Sequence, residues 1–462
     1  MRLSTLLGPD LKAVLARGEE ALRAALEDVH AEDIAEIIED LELEDAVTIV
    51  RSLPADRAAD VVERLPTEIQ IAVLGAIGHV DAAEILVEVD PDDRVDLVQE
   101  LDESQRESVL AALEEREPEI AEEVRELVGY DPETAGGLMT TELVQLGPET
   151  TVAEAIAEIR RLSDEDEAET VYYVYVVDEA SHLQGVVSSR QLFSAMRRPE
   201  TPVRDLMERE VLTVLVTDDQ EDVAQKVARF DFLAIPVVDD EHHIVGIITH
   251  DDVIDVMVEE ATEDAHRMGG IAPITEDILE ARFTTIWRKR ALWLSVLFVA
   301  ELFTFSALAQ FEQAIAAVVA LSLFLPLVIS TGGNSGSQAA TLITRALALG
   351  QVTTRDWFRV FRHEVLMGLT LGLTLGVIAF VRAALTPQSV LGNADRWTLA
   401  CVIAQAVALI CLWGTLVGSM LPLVFKRLGI DPGIASSPFV ATFVDVTGIL
   451  IYFSIAEVYL LH

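Results

Sequence analysis

One stretch near the C-terminal end decides the fold: PFVATFVDVTGILIYF, residues 438–453. Asp445 is the only charged residue in it, and a helix that begins at Pro438 carries Asp445 about 10 Å along its axis. A carboxylate inside an apolar membrane segment is energetically costly and normally faces a water-filled path or a partner. The stretch therefore predicts a membrane helix with Asp445 on a polar path. The alternative is a neutral Asp445 that packs helices together, for example through Thr447.

Other apolar runs of about 20 residues, long enough to cross a bilayer as helices, precede this one. Basic clusters precede the first run and lie between the fourth and the fifth, at residues 288–290 and 426–427. Because basic loops stay on the cytoplasmic side, the pattern predicts a multi-pass protein of the cell (plasma or inner) membrane, with a cytoplasmic N-terminus and an external C-terminus. The five predicted spans are residues 291–311, 314–331, 365–385, 397–425 and 438–461.

A polar and glycine-rich stretch follows Pro326: TGGNSGSQ, residues 331–338. Proline and glycine release backbone carbonyls from helical pairing, which a membrane tolerates only against protein or a water-filled cavity. We therefore expect Asn334 beside the polar path, although the glycines also suit close helix packing. Pro422 is expected to break the fourth span. Glu301, in the first span, has fewer polar neighbours in the sequence than Asp445 and is expected to have a structural role.

Charge is divided unevenly along the 462 residues, whose formal net charge is −45. Residues 1–270 contain 67 acidic and 21 basic residues, whereas residues 271–462 contain 11 and 12. Nucleic acid is excluded as a partner, because binding phosphate needs a basic surface. The acidic part is either a solvated surface or a surface that binds counter-cations. Residues 1–30 do not resemble a signal peptide, and Cys401 and Cys411 indicate no disulfide framework.

An internal repeat occupies residues 138–262. The tetrapeptide at residues 137–140 matches residues 205–208, and residues 174–178 match residues 235–239 at a spacing of 61. Each copy predicts a short strand, an amphipathic helix, a hairpin of two strands and a closing helix. The pair resembles tandem CBS domains, which regulate enzymes and transporters alike.

The region before the repeat has a helical pattern that is interrupted at Leu53-Pro54, Leu65-Pro66 and Asp90-Pro91. Short capped helices stacked as a superhelix fit this pattern. The predicted fold is thus a multidomain membrane protein: a cytosolic α-superhelical domain, tandem α/β CBS domains, and an all-α transmembrane domain of five helices. The predicted parts are an N-terminal helical extension, the acidic superhelix, CBS 1, CBS 2, a connecting helix and the transmembrane domain, at residues 1–29, 30–132, 138–198, 201–262, 263–288 and 289–462.

With these parts in order, the chain is similar to the MgtE family of magnesium channels and transporters. The similarity rests on TAGGLMT at 134–140, TGGN at 331–334, LGIDP at 428–432 and DVTG at 445–448, within about residues 30–462. It implies a homodimer in membrane lipid with one pore on the two-fold axis, and a role in magnesium uptake rather than an enzymatic activity. It also implies that Mg²⁺ regulates the channel, which closes when the ion binds to the acidic cytosolic domains.

The resemblance implies site residues position by position. Asp445 and Asn334 correspond to the pore, where paired carboxylates can hold a hydrated Mg²⁺. Without cation, the regulatory carboxylates would repel one another, and bridging Mg²⁺ would favour the compact, closed arrangement. The implied metal positions are Asp60, Asp92, Asp96, Gly137, Asp219, Glu221, Ala228, Asp231, Asp252, Asp255, Glu260, Glu263, Asp264, Asp431 and Asp445.

ATP is a second possible regulator, because CBS pairs often hold a nucleotide with an Asp of the closing helix on the ribose. Gln191 stands at that position in the first copy, and the resemblance assigns Asp252 of the second copy to metal. Tyr173, Arg190 and Phe232 remain to stack on ATP and neutralise it. We therefore expect weak or absent ATP binding.

Two alternatives stay open. Another divalent cation (Co²⁺, Zn²⁺ or Ni²⁺) is one, although the spans carry no histidine or thiolate cluster and oxygen ligands favour Mg²⁺. A CBS-regulated intramembrane protease is the other. His363-Glu364 begins the His-Glu-x-x-His motif of metalloproteases, but Met367 stands where the second histidine is required.

Overall fold

The computed structural model describes residues 15, 18–164, 171–274, 278, 281–392 and 394–460. It contains two compact units, residues 1–257 and 258–462. Most of the predicted extension 1–29 lies outside the described residues, as do Glu276 and Asp277, which we expect in the connecting helix.

Short helices stacked one after another form the first part of the N-terminal unit. Asp102 caps α8 by accepting hydrogen bonds from the backbone N–H groups of Ser104 and Gln105. Pro91 and Pro118 are the first residues of α7 and α9. Proline is tolerated there because the backbone N–H groups of the first turn have no partner within the helix. The described helices are α1 Glu19–Leu26, α2 Ala31–Glu39, α3 Leu43–Ser52, α4 Ala55–Glu63, α5 Thr67–Ile77, α6 His79–Val87, α7 Pro91–Glu100, α8 Glu103–Arg116 and α9 Pro118–Leu127.

Each sequence repeat forms a three-stranded sheet. The first strand pairs with the second in parallel, and the second pairs with the third in an antiparallel hairpin. Both hairpins carry a register shift at the same place, after Val176 and after Val237, in keeping with the spacing of 61. The elements are β1 Gln145–Leu146, α10 Val152–Asp164, β2 Tyr173–Val177, β3 Leu183–Ser188, α11 Ser189–Ala195, β4 Val214–Leu215, α12 Gln220–Phe230, β5 Ala234–Val238, β6 Ile244–Thr249 and α13 His250–Met268.

The two repeats exchange their opening segments. Thr140, at the start of the first copy, bridges to Ile247 of the second, and Glu208 of the second bridges to Val186 of the first. Gly246 permits this approach, because a Cβ there would lie 2.7 Å from the carbonyl oxygen of Thr140. Each hairpin is therefore completed by the other copy.

The second unit consists of the end of α13 and a set of long apolar helices. The single connecting helix that we expect over 263–288 is not observed, because α13 ends at Met268 and Gly270 follows with a positive φ of 71°. The remaining helices are α14 Phe283–Gln310, α15 Glu312–Ala317, α16 Ala320–Ala348, α17 Trp357–Ala384, α18 Gln388–Leu391, α19 Arg396–Arg427 and α20 Ser437–Leu460.

Within the described residues, four helices are long and apolar enough to cross a membrane, and α16 adds a fifth long helix. The second span expected over 314–331 is corrected. A short helix, α15, precedes α16, and α16 continues through the polar stretch 331–338. The four candidates are Phe283–Gln310, Thr354–Ala384, Arg396–Arg427 and Ser437–Leu460.

Neither proline inside these helices ends its helix. Pro326 lies within α16, and Pro422, which is expected to break the fourth span, lies within α19. Pro422 is buried among neighbouring helices, and such packing keeps a helix continuous where proline removes one hydrogen bond. The expected release of backbone carbonyls at residues 331–338 is accordingly not observed.

Glycines bring α16 and α19 into backbone contact. A Cβ on Gly414 would lie 2.3 Å from the carbonyl oxygen of Gly332, and one on Gly418 would lie 2.0 Å from that of Gly336. Both distances are far below a van der Waals contact, so any side chain would force the helices apart. This is the small-residue packing of membrane helices.

We predict that Gly418→Ala lowers the thermal midpoint of the detergent-solubilised protein, because a methyl group would overlap the backbone of α16. Overpacking of this kind destabilises by about 1–3 kcal/mol or more. Gly448→Ala is the matched control in α20, since its Cβ would meet Ile410 at an ordinary 3.5 Å. Equal thermal midpoints for the two variants would show that the close contact is not required.

Candidate functional site

A cavity of about 360 Å³ lies between α16 and α20. Asp445 projects into it from α20, and Asn334 faces it from α16. The structure thus brings together the two residues that the sequence singles out for the pore. The remaining lining residues are Leu325, Pro326, Ile329, Ser330, Gly333, Ser337 and Ala441.

The carboxylate of Asp445 is not used to join helices. Its Oδ1 atom is buried and has no hydrogen-bond partner among the described residues. Thr447 instead accepts a hydrogen bond from Trp413 Nε1 at 2.8 Å and donates one to the carbonyl oxygen of Phe443. A buried acceptor without a donor is energetically unfavourable, and a cation in the cavity would relieve it.

Asn334 and Gly333 define the wall opposite Asp445. Asn334 Nδ2 donates to Ser330 Oγ at 3.4 Å, one turn earlier on the same helix. A Cβ on Gly333 would lie 3.3 Å from Asp445 Oδ1, so the absence of a side chain leaves room around the carboxylate. The glycine stretch therefore has two roles, since Gly332 and Gly336 pack against α19 while Gly333 borders the cavity.

Glu301 on α14 is a second acid within an apolar helix. It accepts a hydrogen bond from Thr304 Oγ1 at 3.1 Å, and it lies close enough to Asp445 for the two charges to repel. Glu301 therefore makes a local hydrogen bond within α14 and also interacts electrostatically with Asp445.

A first group of predicted regulatory carboxylates lies around α7 in the N-terminal unit. Desolvation, followed by repulsion from Glu63 and Asp252, raises the pKa of Asp93 to about 7. More than a third of the surface of Asp93 is exposed, so water partly screens this repulsion. Asp92 and Asp96, the predicted ligands, lie on the same helix.

Sequence reasoning missed Asp93 and Glu63. The available signal was the acidic first turn of α7, where Asp92 and Asp93 follow Pro91. Asp60, also predicted, is exposed on α4 and lies 3.7 Å from Arg64 Nη1.

Asp252 and Gln191 occupy equivalent positions in the two repeats and accept equivalent hydrogen bonds. Asp252 Oδ2 accepts a hydrogen bond from Thr249 Oγ1 at 2.7 Å, and Gln191 Oε1 accepts one from Ser188 Oγ at 2.8 Å. Both side chains therefore cap the helix that follows the hairpin. Burial and repulsion from Asp251 also raise the pKa of Asp252 to about 6, while Asp255 is exposed one turn later.

A second group lies where the chain enters the repeats. The stretch 134–137 runs beside the start of α12, with hydrogen bonds from Ala135 N to Asp218 O and from Gly136 N to Val216 O. This places Gly137 in the same part of the fold as Asp219, which caps α12. The other predicted positions of this group are Glu221 and Ala228 on α12 and Asp231, which ends it in a left-handed conformation.

A third group lies in the second unit. Burial, then repulsion from Asp431 and Glu260, raises the pKa of Asp264, and Arg345 and Lys426 oppose the shift. Glu263, one residue before Asp264, forms an ion pair with Arg267. The structure thus brings Asp264 and Asp431 together, although they are far apart in sequence.

Among the residues that the structure describes, no three His, Cys, Asp or Glu side chains stand close enough together to hold a metal ion as they are. The predicted ligands fit a hard cation in chemistry, because they are carboxylates and backbone oxygens. Burial is the main cause of the raised pKa values of Asp93, Asp252 and Asp264, and repulsion from neighbouring acids adds to it. A bound cation would remove this second contribution.

The predicted nucleotide contacts are spread over the repeats. Tyr173 packs in the apolar cluster around Tyr175, whereas Phe232 packs on the core of the second repeat and stacks on Phe230 at 5.6 Å. Arg190 is exposed at the start of α11.

Sequence profiles of known families cover most of the chain. The profile "MgtE intracellular N domain" matches residues 29–133, the CBS domain profile matches 135–198 and 203–259, and the profile "Divalent cation transporter" of MgtE matches 325–455.

Known relatives and one solved structure of a soluble domain agree with these profiles. The magnesium transporter MgtE of Thermus thermophilus is 42% identical over 74% of each chain, and that of Enterococcus faecalis is 36% identical over 74% of this chain and 72% of its own. A crystal structure of the soluble part of a magnesium transporter is 36% identical, with a TM-score of 0.50, and covers 56% of this chain and 98% of that one. The cytosolic domain of the Mg²⁺ channel MgtE in complex with ATP is 34% identical, with a TM-score of 0.45, over 55% of this chain and 100% of that one.

Proposed function

The chain belongs to the MgtE family of divalent cation transporters, and we propose that it carries Mg²⁺ across a membrane along a path that passes Asp445 and Asn334. It is accordingly a transporter and not an enzyme. The observation that carries the proposal is the buried Asp445 Oδ1, which borders a cavity and has no hydrogen-bond partner among the described residues.

The cavity suits an ion that keeps its water. Mg²⁺ prefers six oxygen ligands in octahedral geometry and dehydrates reluctantly. Six waters fill roughly 180 Å³ at their volume in the liquid, and the cavity holds about 360 Å³. Asp445 would attract the hydrated ion by charge, while the Asn334 amide and Ser330 hydroxyl would hydrogen-bond its water shell. Oxygen ligands alone favour Mg²⁺ over Zn²⁺ or Ni²⁺.

We place the pore between two copies of the chain, as the resemblance implies. The cavity opens to the outside of a single chain, and Asn334 on its wall is exposed. Leu323 and Leu327 on α16 are also exposed, by 58% and 45%. A second copy related by two-fold symmetry would cover this side and bring a second Asp445 to the path.

The acidic cytosolic unit is proposed as the sensor that closes the channel. Glu63 and Asp252 both repel Asp93 in the N-terminal unit, and a bound dication would supply the charge that cancels this repulsion. Helix α13 is continuous from His250 to Met268, so it includes Asp252 and belongs to both units. An unbroken helix of this kind is a means by which ligation at one end could bias the other.

We predict that Asp445→Ala abolishes Mg²⁺ uptake into proteoliposomes, measured with an encapsulated Mg²⁺-sensitive dye, because the only charge lining the cavity is removed. Asp445→Asn should insert and fold normally but lose the preference for divalent ions, with Co²⁺ tested in parallel. Glu457→Gln, an exposed acid on the same helix, is the control and should transport normally. Normal uptake by folded Asp445→Ala would refute the pore assignment.

We predict that Asp252→Asn, Asp255→Asn and Glu260→Gln together leave the channel open at millimolar Mg²⁺. In the unaltered chain, Mg²⁺ should protect residues 255–285 from protease at constant ionic strength, because specific bridging differs from diffuse screening. Protection should be absent in the triple variant.

The matched control for this experiment removes the same charge from exposed acids of the superhelix, with Glu107→Gln, Glu119→Gln and Glu122→Gln. This control should close normally. If protection follows ionic strength alone, so that Na⁺ replaces Mg²⁺, the sensor proposal is wrong even where the pore proposal holds.

We predict weak or absent ATP binding by the full chain, measured by calorimetry, because Gln191 supplies no carboxylate for the ribose and its Oε1 atom caps α11. Gln191→Asp should raise the affinity about tenfold, the value of one charge-assisted hydrogen bond. Micromolar affinity in the unaltered chain, with no gain in the variant, would contradict this.

A further inference from the structure

Arg267 joins two acids that the resemblance assigns to metal. One nitrogen of its guanidinium group pairs with Glu263, one turn earlier on α13, and another pairs with Asp431, which is 164 residues away in sequence. All three residues belong to the second unit. Arg267 is the only arginine or lysine between Arg229 and Arg282.

The surroundings hold this arginine in place. A Cβ on Gly433 would lie 2.9 Å from Arg267 Cβ and 3.3 Å from Arg267 Cδ, so the aliphatic part of the arginine lies directly on the Gly433 backbone. Asp431 Oδ1 accepts a hydrogen bond from Gly433 N at 2.6 Å, which orients the carboxylate and leaves Oδ2 for Arg267. The side chains of Arg267 and Asp431 are only 36% and 27% exposed.

An ion pair built in this way differs from a mobile surface pair. The planar guanidinium group presents its N–H donors in a fixed geometry that matches a carboxylate. Its partner Asp431 is also held in place, by the hydrogen bond from Gly433 N. Because Arg267 lies near the end of α13 and Asp431 lies in the loop between α19 and α20, the pair ties the end of α13 to this loop within the second unit.

We propose that Arg267 is a tethered counter-cation that holds Glu263 and Asp431 together when divalent cation is scarce and competes with Mg²⁺ for them. The inference rests on the proposed function, in which both acids are regulatory ligands. A guanidinium group carries one charge and lies in a plane, whereas Mg²⁺ carries two and demands octahedral oxygen. Each carboxylate has lone pairs for more than one partner, but Mg²⁺ and the guanidinium group repel each other when they share it, so binding of one weakens binding of the other. The arginine thus sets the Mg²⁺ concentration at which these acids respond.

The test uses the full chain in detergent and titrates Mg²⁺ at constant ionic strength, with protease cleavage between residues 269 and 282 as the readout. Arg267→Gln should increase cleavage in the absence of Mg²⁺, because the tie to Asp431 is lost. It should also lower the Mg²⁺ concentration for half-protection by roughly three- to tenfold, the effect of losing a partly exposed competing ion pair. Arg267→Lys keeps the positive charge but lacks the several planar N–H donors of arginine. It should therefore shift the Mg²⁺ concentration for half-protection by less.

Arg288→Gln, an exposed arginine on α14, is the control and should leave the midpoint unchanged. An unchanged or raised midpoint in Arg267→Gln, with thermal melting like that of the control, would overturn the inference while the sensor stands. Absence of any Mg²⁺-specific protection in the unaltered chain would overturn the sensor and the inference together. If Arg267→Gln fails to fold, Arg267→Lys is the deciding variant. An unchanged Mg²⁺ concentration for half-protection in Arg267→Lys would then contradict the proposed competition.

Discussion

Backbone contact between α16 and α19 is the constraint on which the rest of the second unit depends. Gly332 and Gly336 lie against Gly414 and Gly418 with no space for a side chain. This contact fixes α16 against α19 over the polar residues 331–338, through which α16 stays helical. The cavity exists because one face of α16 is packed this tightly while the opposite face turns Asn334 towards Asp445.

Unsatisfied negative charge appears in both units in different forms. In the apolar unit it is a single desolvated oxygen of Asp445. In the acidic unit it is several acids close together: burial, and then repulsion from neighbouring acids, raises the pKa values of Asp93 and Asp252. A lone buried charge suits an ion in transit, since one weak contact allows release. Crowded acids suit a response to concentration, since a dication relieves several repulsions at once.

The sequence predicted features that depend on local pattern and missed those that depend on distant partners. Asp445 was recognisable because it interrupts an apolar run, and the spacing of 61 predicted two matching sheets. Asp93 was missed because part of its repulsion comes from Asp252, in another domain of the same unit. Arg267 was missed because its partner Asp431 lies 164 residues later in the chain, after four long helices.

The continuity of α16 and α19 was also beyond local reasoning. Proline and glycine argue against a helix when its neighbours are unknown, and the packing that compensates for them comes from another helix.

The exchange of opening segments between the two repeats has a consequence for how the protein is built and how it evolves. Thr140 completes the sheet of the second copy, and Glu208 completes that of the first. Neither copy is a self-sufficient module, because each sheet reaches its native pairing only when the other copy is present. A gene fragment that encodes a single copy would produce a chain with an uncovered hairpin edge, which is prone to association. Duplication and loss in this region therefore favour whole pairs over single repeats.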